Sequence, residues 1–408
     1  MKNSALSLVT LAAILLSVTS CQSQANTAPG KKAISVKETQ TKFIEGEDYR
    51  LFTRARVIDK AGFSQPIEAF SVLIPKGWTY SGDILWTSPG STCAGTNSYF
   101  KATSADGKYS FEMLPSTLWN FVSDPQMAQF QQNNNTRYCT YGEPLDAAHY
   151  MKQVFIPTEL GNAQILEIKT NESGAREMLQ KAEKYKQEMD NYGYGQSNFY
   201  PSAVHAKLKW SDGTEGLTLC GVMIMEGIVP NPYDGSYSKT YTSSAIERIV
   251  FKYPAGEGDK AANMLSVIMS SLRTNLPWKN SVDNFWLHVR QKKHTDHVGR
   301  IRMMDELTRQ IGETTIRNGQ KNLDNMDANM RSWEATQSSQ DRMHTNFIKS
   351  IREVETYRDE TGKVELSSGY NHSWSRSDGS SFIMSDNPNF DPSSVFQDQR
   401  WKEMKKID

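Results

Sequence analysis

The sequence has little cysteine and no excess of charge of either sign. Its 408 residues include four cysteines, 46 basic and 46 acidic side chains, so the formal net charge is zero. A nucleic-acid-binding protein normally carries a basic excess, and this neutrality therefore argues against that class. Four cysteines are too few for a disulfide-built scaffold. The apolar content of 38%, with 26 Gly and 15 Pro, excludes a collagen-like or wholly disordered chain.

Long apolar runs are also missing, which excludes a polytopic membrane protein. The run from Leu6 to Val18 is shorter than the roughly 20 apolar residues that a membrane-spanning helix needs. Lys2 precedes this run, and small residues follow it up to Ser20. A basic start, a short apolar stretch and small residues at the end are typical of a secretory signal peptide. We therefore expect residues 1–20 to be removed.

The end of the signal, Val-Thr-Ser-Cys, resembles the lipobox of bacterial lipoproteins. The resemblance implies cleavage before Cys21, a diacylglyceryl group on its thiol and an acyl chain, such as palmitate, on its new amine. Two or more acyl chains anchor a protein stably in a membrane. The alternative is an ordinary signal peptide with a chance cysteine.

The residues after Cys21 indicate where the anchor is held. Residues 21–42 contain few apolar side chains and no periodicity, as expected of a flexible tether. Gln22 and Ser23 include no Asp, so the inner-membrane retention signal of enteric bacteria is absent. The acidic cluster that resembles surface-export signals is absent as well. We expect anchoring in the outer membrane, facing the periplasm.

The remaining three cysteines permit one disulfide. Cys93 and Cys139 lie in polar, turn-rich segments, whereas Cys220 lies in the apolar strand pattern LTLCGVMIM. An oxidising compartment favours a disulfide between exposed loops and a buried free thiol inside a strand. We predict a Cys93–Cys139 disulfide and a free Cys220, with three free thiols as the alternative.

Strand patterns dominate residues 43–278. Apolar residues alternate over 70–74 and 204–210, and the segment at 84–86 is the expected hairpin partner of 70–74. Asp106-Gly107 and Asp212-Gly213 are strong hairpin-turn dipeptides.

Two helices interrupt these strands. Apolar residues recur at i, i+3, i+4 and i+7 over 175–182 and again over 261–272, and a weaker pattern spans 145–154. Each helix offers one apolar stripe that suits packing on a sheet. The predicted fold class is therefore α+β, an antiparallel sheet flanked by helices.

Residues 66–86, PIEAFSVLIPKGWTYSGDILW, resemble the opening of PsbP-like domains. The segment KATSADGKYSFEMLP and the helix at 261–274 follow in the same order. The resemblance implies a sheet flanked by helices and a non-enzymatic binding or assembly module. The shared residues are core and turn positions, so no functional residue is carried over.

The last third of the chain divides into two parts. Residues 279–353 lack proline and place thin apolar stripes at helical spacing, which predicts a helical arm, partly of coiled-coil type. The arm either packs on the sheet domain or awaits a partner. Residues 354–408 return to short strands around Gly-containing turns, a small β-meander that should lean on the helices. This part resembles a C-terminal module of uncharacterised secreted bacterial proteins, which implies no activity.

No catalytic motif is present. The sequence contains no G-x-S-x-G, no H-E-x-x-H and no Walker A loop. We expect no cofactor and no metal site. The candidate binding residues are the aromatics Tyr192, Tyr194, Tyr370 and Trp374. For Tyr370 and Trp374 the alternative is a role in the hydrophobic core.

These observations favour a membrane-anchored envelope lipoprotein that acts as a non-enzymatic binding or assembly module. Its expected partners are the membrane, through the lipid, and a protein or glycan, but not nucleic acid. The alternatives are an envelope hydrolase with a dispersed active site, and capture of a carbohydrate or small ligand by exposed aromatics.

Overall fold

The computed structural model describes residues 43–87, 89, 93–133, 140–191, 196–230, 237–291, 354–359, 362–367, 370–396 and 400–407. Several predicted features lie outside these residues: the signal peptide, the tether, the lipidation site Cys21, the cysteine Cys139, the aromatics Tyr192 and Tyr194, and residues 292–353 of the helical arm.

Strands make up most of the described residues. In chain order they are β1 (Arg50–Asp59), β2 (Ile67–Pro75), β3 (Thr79–Thr87), β4 (Gly95–Thr103), β5 (Ser110–Leu114), β6 (Thr117–Val122), β7 (Thr140–Tyr141), β8 (Gln164–Thr170), β9 (Gln196–Lys209), β10 (Glu215–Pro230), β11 (Tyr237–Tyr253), β12 (Arg273–Thr274), β13 (Val354–Asp359), β14 (Gly362–Ser367), β15 (His372–Arg376), β16 (Ser381–Ser385), β17 (Trp401–Glu403) and β18 (Lys405–Ile407).

The described helices connect or cover these strands. They are α1 (Pro125–Asn133), α2 (Ala147–Tyr150), a π-helical turn (Met151–Phe155), α3 (Ile156–Glu159), α4 (Glu172–Asn191), α5 (Gly258–Ser270), α6 (Leu276–Gln291) and α7 (Pro392–Val395). The helices predicted around 145–154, 175–182 and 261–272 are therefore confirmed, and α6 is the first part of the predicted arm. No helix among the described residues combines the length and apolar character that crossing a membrane requires.

The strands form three sheets. A nine-stranded sheet has the order β3-β4-β5-β11-β10-β9-β8, with β6 paired to β11 and β7 paired to β6. A six-stranded sheet has the order β12-β2-β1-β16-β15-β17, and a three-stranded sheet has the order β14-β13-β18. All pairings except β6 with β7 are antiparallel, which confirms the α+β fold class.

The two hairpins predicted at Asp-Gly turns are correct. Gly107 (φ 72°) turns β4 into β5, and Gly213 (φ 84°) turns β9 into β10. The hairpin predicted between β2 and β3 is wrong. Although Gly77 (φ 83°) makes a turn there, β2 pairs with β1 while β3 pairs with β4 in the other sheet. The turn therefore connects strands of two different sheets. The alternation of apolar residues within each strand does not reveal this.

The main hydrophobic core lies between the two larger sheets and α5. Phe70 and Val72 of β2 meet Phe100 of β4 and Phe251 of β11, and Leu265 of α5 joins them. All of them have at most 6% of their surface exposed, a burial that stabilises the fold by about 1.5–3 kcal/mol per large side chain.

A second core covers the opposite face of the nine-stranded sheet. Leu219 belongs to the main core, whereas the next residue, Cys220, packs with Phe155 under the helical segment α2–α3. Arg248 ties this segment to the sheet: it forms an ion pair with Glu159 and its guanidinium lies 4.9 Å from the Phe155 ring centre. Both faces of the sheet are therefore packed along this stretch.

The cysteine predictions have different outcomes. Cys220 is free and buried, as predicted, and burial raises the pKa of its thiol to about 12. Cys93 is 9% exposed, and Cys139 lies outside the described residues, so the pairing of Cys93 with Cys139 stays a prediction.

The C-terminal strands do not lean on helices alone. β16 pairs with β1, from Arg50–Met384 to Thr53–Ser381, so the six-stranded sheet contains strands from both ends of residues 43–408. The domain limits at 278 and 353 stay a prediction, and this pairing crosses both of them.

Tyr370 and Trp374 are core residues and not an exposed binding pair. Tyr370 is 7% exposed and packs with Phe52 and Phe382, while Trp374 is 9% exposed and packs edge-on against Phe390. Aromatic side chains are large and contribute strongly to a hydrophobic core when they are buried. The core alternative is therefore the correct one for both residues.

Candidate binding surface

The face of the nine-stranded sheet that carries the second core continues beyond the helices that cover it. Side chains alternate between the two faces of a strand, so Val222 in the second core, Ile224 at its border and Glu226 share one face of β10. Glu226 lies opposite Asn198 of β9 on one side and Tyr241 of β11 on the other. Strand register thus brings a carboxylate, an amide and a phenol into one row.

Glu226 is a buried carboxylate that accepts hydrogen bonds from four side chains. Its residue is 5% exposed. Asn198 Nδ2 lies 3.1 Å and the Tyr200 hydroxyl 3.4 Å from Oε1, while Lys239 Nζ lies 3.2 Å and the Tyr241 hydroxyl 2.8 Å from Oε2. Charged, hydrogen-bonded networks of this kind hold their members in fixed positions.

The network also fixes the protonation of its members. The hydrogen bond from Asn198, followed by those from Tyr241 and Lys239, lowers the pKa of Glu226. The same carboxylate raises the pKa of Lys239. Burial and then the bond to Glu226 raise the pKa of Tyr241. At neutral pH the carboxylate is ionised, the amine is protonated and the phenol is a neutral donor.

Aromatic rings lie on the same face of the sheet as this network. Tyr200 is 48% and Tyr237 is 72% exposed, and Tyr237 shares the face of Tyr241 because it precedes it by four residues in β11. Phe121 of β6 has its ring centre 6.1 Å from that of Tyr241 and 5.8 Å from that of Tyr141. We call this set the Glu226 surface: Phe121, Tyr141, Asn198, Tyr200, Glu226, Tyr237, Lys239 and Tyr241.

The Glu226 surface combines open ring faces with fixed polar groups. Exposed aromatic side chains are unusual on a surface that has no partner, and Tyr contributes strongly to binding because it is large, rigid and polar at one end. The amide of Asn198 and the ammonium group of Lys239, which Glu226 holds in place, can exchange hydrogen bonds with a polar ligand lying on the rings. The arrangement suits recognition of a ligand with both apolar faces and hydroxyl edges.

The four aromatics predicted from the sequence are not among the residues that define this surface. Tyr192 and Tyr194 lie outside the described residues, just before β9 begins at Gln196. Glu226 was missed because it lies in the apolar run GLTLCGVMIMEGIV. A single acid inside such a run was the available signal, since buried carboxylates require partners.

Histidines beside carboxylates occur elsewhere in the described residues. His149 Nδ1 lies 2.8 Å from Asp146 Oδ2, where Asp146 caps the first turn of α2. His372 Nδ1 lies 3.8 Å from Glu403 Oε1. The first is explained by helix capping and the second by pairing between β15 and β17. Within the part of the chain that the structure describes, no group of three or more His, Cys, Asp and Glu side chains could hold a metal ion.

Comparison with known proteins gives no indication of function, so the Glu226 surface is the feature that points to one. No family model matches the chain, and no curated protein or solved structure matches it either.

Proposed function

We propose that this protein is a lipid-anchored envelope lipoprotein that acts as a non-enzymatic binding module and captures a glycan on the Glu226 surface. The observation that carries the proposal is the buried carboxylate of Glu226, held by four donors on the sheet face that also carries the exposed rings of Tyr200 and Tyr237.

The chemistry of a sugar ring fits this surface. A pyranose presents C–H groups on its faces, which pack on aromatic rings, and hydroxyl groups on its edges, which need donors and acceptors. Tyr200 and Tyr237 supply the rings, while Asn198 and Lys239, both held by Glu226, supply polar groups. Ligand sites generally combine apolar walls with a few fixed polar groups in this way.

The proposed anchor places such a surface within the envelope. If lipid is attached at Cys21 and residues 22–42 are the predicted tether, a chain of that length would have an end-to-end distance of about 25 Å. The described part of the chain would then search a thin layer above the membrane. Outer-membrane anchoring toward the periplasm is the location that the residues after Cys21 favour.

The proposal predicts loss of glycan binding when the rings are removed. Tyr200→Ala and Tyr237→Ala should each weaken binding of the full chain to bacterial envelope glycan fragments by about tenfold, because a buried tyrosine contact contributes over 1 kcal/mol. Glu226→Gln should weaken it further, since the amide that replaces an acceptor faces four donors. Binding is measured on a glycan array and then by calorimetry.

Tyr80→Ala is the matched control. Tyr80 is 47% exposed on β3 of the same sheet, outside the Glu226 surface, and its replacement should leave glycan binding unchanged. Equal binding by the wild type and the Tyr200→Ala and Tyr237→Ala variants contradicts the proposal. Absence of glycan binding, together with a protein from outer-membrane extract that the wild type retains and Tyr200→Ala does not, identifies a protein partner instead.

A further inference from the structure

The opposite face of the nine-stranded sheet contains a polar cavity of about 580 Å³. Leu217, which lines it, belongs to the main core, and Lys207 pairs with Leu217 across the sheet, so the cavity lies on the main-core face. The Glu226 surface lies on the other face. The first turn of α4 and the ends of β8 and β9 form the remaining walls.

Basic side chains dominate the ionisable lining of this cavity. Lys169 of β8, Lys207 of β9 and Arg176 of α4 are accompanied by His205, which pairs with Lys169 across the two strands. Carboxylates in the lining come from Glu167 and Glu172. Glu167 lies between the lysines: its Oε1 is 2.5 Å from Lys169 Nζ and its Oε2 is 3.7 Å from Lys207 Nζ.

We propose that this cavity binds the phosphate or carboxylate group of a small anionic ligand. Three permanent cations face two carboxylates in the lining, and one carboxylate is shared by both lysines, so positive charge is left over for a ligand. The N-terminal turn of α4 opens toward the same space, and its dipole favours negative charge. Glu172 in that turn reduces the preference, so the affinity is modest.

His205 reports on the occupancy of the cavity. Burial first, and then the charges of Lys169 and Lys207, lower the pKa of its imidazole, whereas Glu167 raises it. Arg176 and Glu172 of α4 also line the cavity, and Leu217 and Thr218 of β10 carry no charge. A bound anion adds negative charge beside the ring, so it raises the pKa of His205.

Binding of inorganic phosphate and of citrate to the full chain tests this site. At low ionic strength the wild type should bind one or both with a Kd on the order of 1 mM. Lys169→Gln combined with Lys207→Gln should weaken binding by about tenfold or more. Comparison of the two probes separates a phosphate site from a carboxylate site.

Lys101→Gln is the matched control. Lys101 lies on β4 of the same sheet, 3.5 Å from Glu112 and outside the cavity, and its replacement should leave anion binding unchanged. Absence of binding in the wild type up to ~20 mM anion, or equal binding by the double variant, overturns the proposal. If the double variant fails to fold, the NMR titration of His205 in the wild type decides: a pKa raised by phosphate or citrate supports the site, and an unchanged pKa overturns it.

Discussion

The carboxylate of Asp59 shows how one residue can join separate elements. Asp59 has no exposed surface, and it ends β1. Its Oδ1 accepts hydrogen bonds from the backbone N–H groups of Ala61 and Gly62, at 3.0 and 2.8 Å. Its Oδ2 accepts from the indoles of Trp86 in β3 and Trp278 in α6, at 3.0 and 2.9 Å. The burial of this charge is thereby compensated by four donors.

Asp59→Asn should destabilise the protein by about 2–4 kcal/mol, because either orientation of the amide turns an N–H group toward two donors. Chemical denaturation measures the free energy of unfolding. Asp83→Asn is the control: Asp83 lies exposed on β3 and accepts a bond from its neighbour Ile84. A change at Asp59 no larger than that at Asp83 would show that the indole contacts contribute little.

At the scale of elements, β1 connects the two ends of the described chain. It pairs with β2 on one side and with β16 on the other. Below this pairing, Phe382 of β16 has no exposed surface and packs with Phe52 of β1 and Leu73 of β2. The core formed there needs residues on both sides of the predicted limits at 278 and 353. We therefore expect that residues 43–278 do not fold without the C-terminal strands.

Phe382→Ala should lower the stability of the whole folded part by about 3–5 kcal/mol, since it leaves a cavity in a shared core. Calorimetry should show one transition that moves to lower temperature. Val395→Ala, at a 37% exposed position in α7, should move it little. Two transitions, of which only one responds to Phe382→Ala, would show that the C-terminal strands form an independent domain.

Sequence patterns predicted the helices and strands better than they predicted which strands pair with one another. The helical stripes gave α4 and α5, and Asp-Gly turns gave two hairpins, because both signals are local. The pairing of β1 with β16 was not predictable, since no local pattern records which distant strand completes an edge. Glu226 was not predicted as a site residue for a related reason. Its hydrogen-bond donors come from β9 and β11, and only the register of these strands places the donors beside its carboxylate.

At the scale of the whole molecule, the proposed membrane attachment depends on the proposed lipid. A formal net charge of zero provides little electrostatic attraction to an anionic membrane surface. Cys21→Ser should therefore release the protein into the soluble periplasmic fraction or leave its signal uncut. Fractionation and blotting measure this, with Cys220→Ser as the control that keeps its membrane association. A Cys21→Ser protein that is normally cleaved and still sediments with membranes would rule out the lipid anchor.

The pairing of Arg50 with Met384 also sets an order of events during synthesis. Translation delivers β1 early and β16 much later, so the second hydrogen-bonding edge of β1 stays open for most of that time. A contact between residues so far apart in sequence makes folding slow. If the predicted signal peptide directs export, the chain would cross the membrane before its six-stranded sheet can close, and it would depend on protection from aggregation until its last strands arrive.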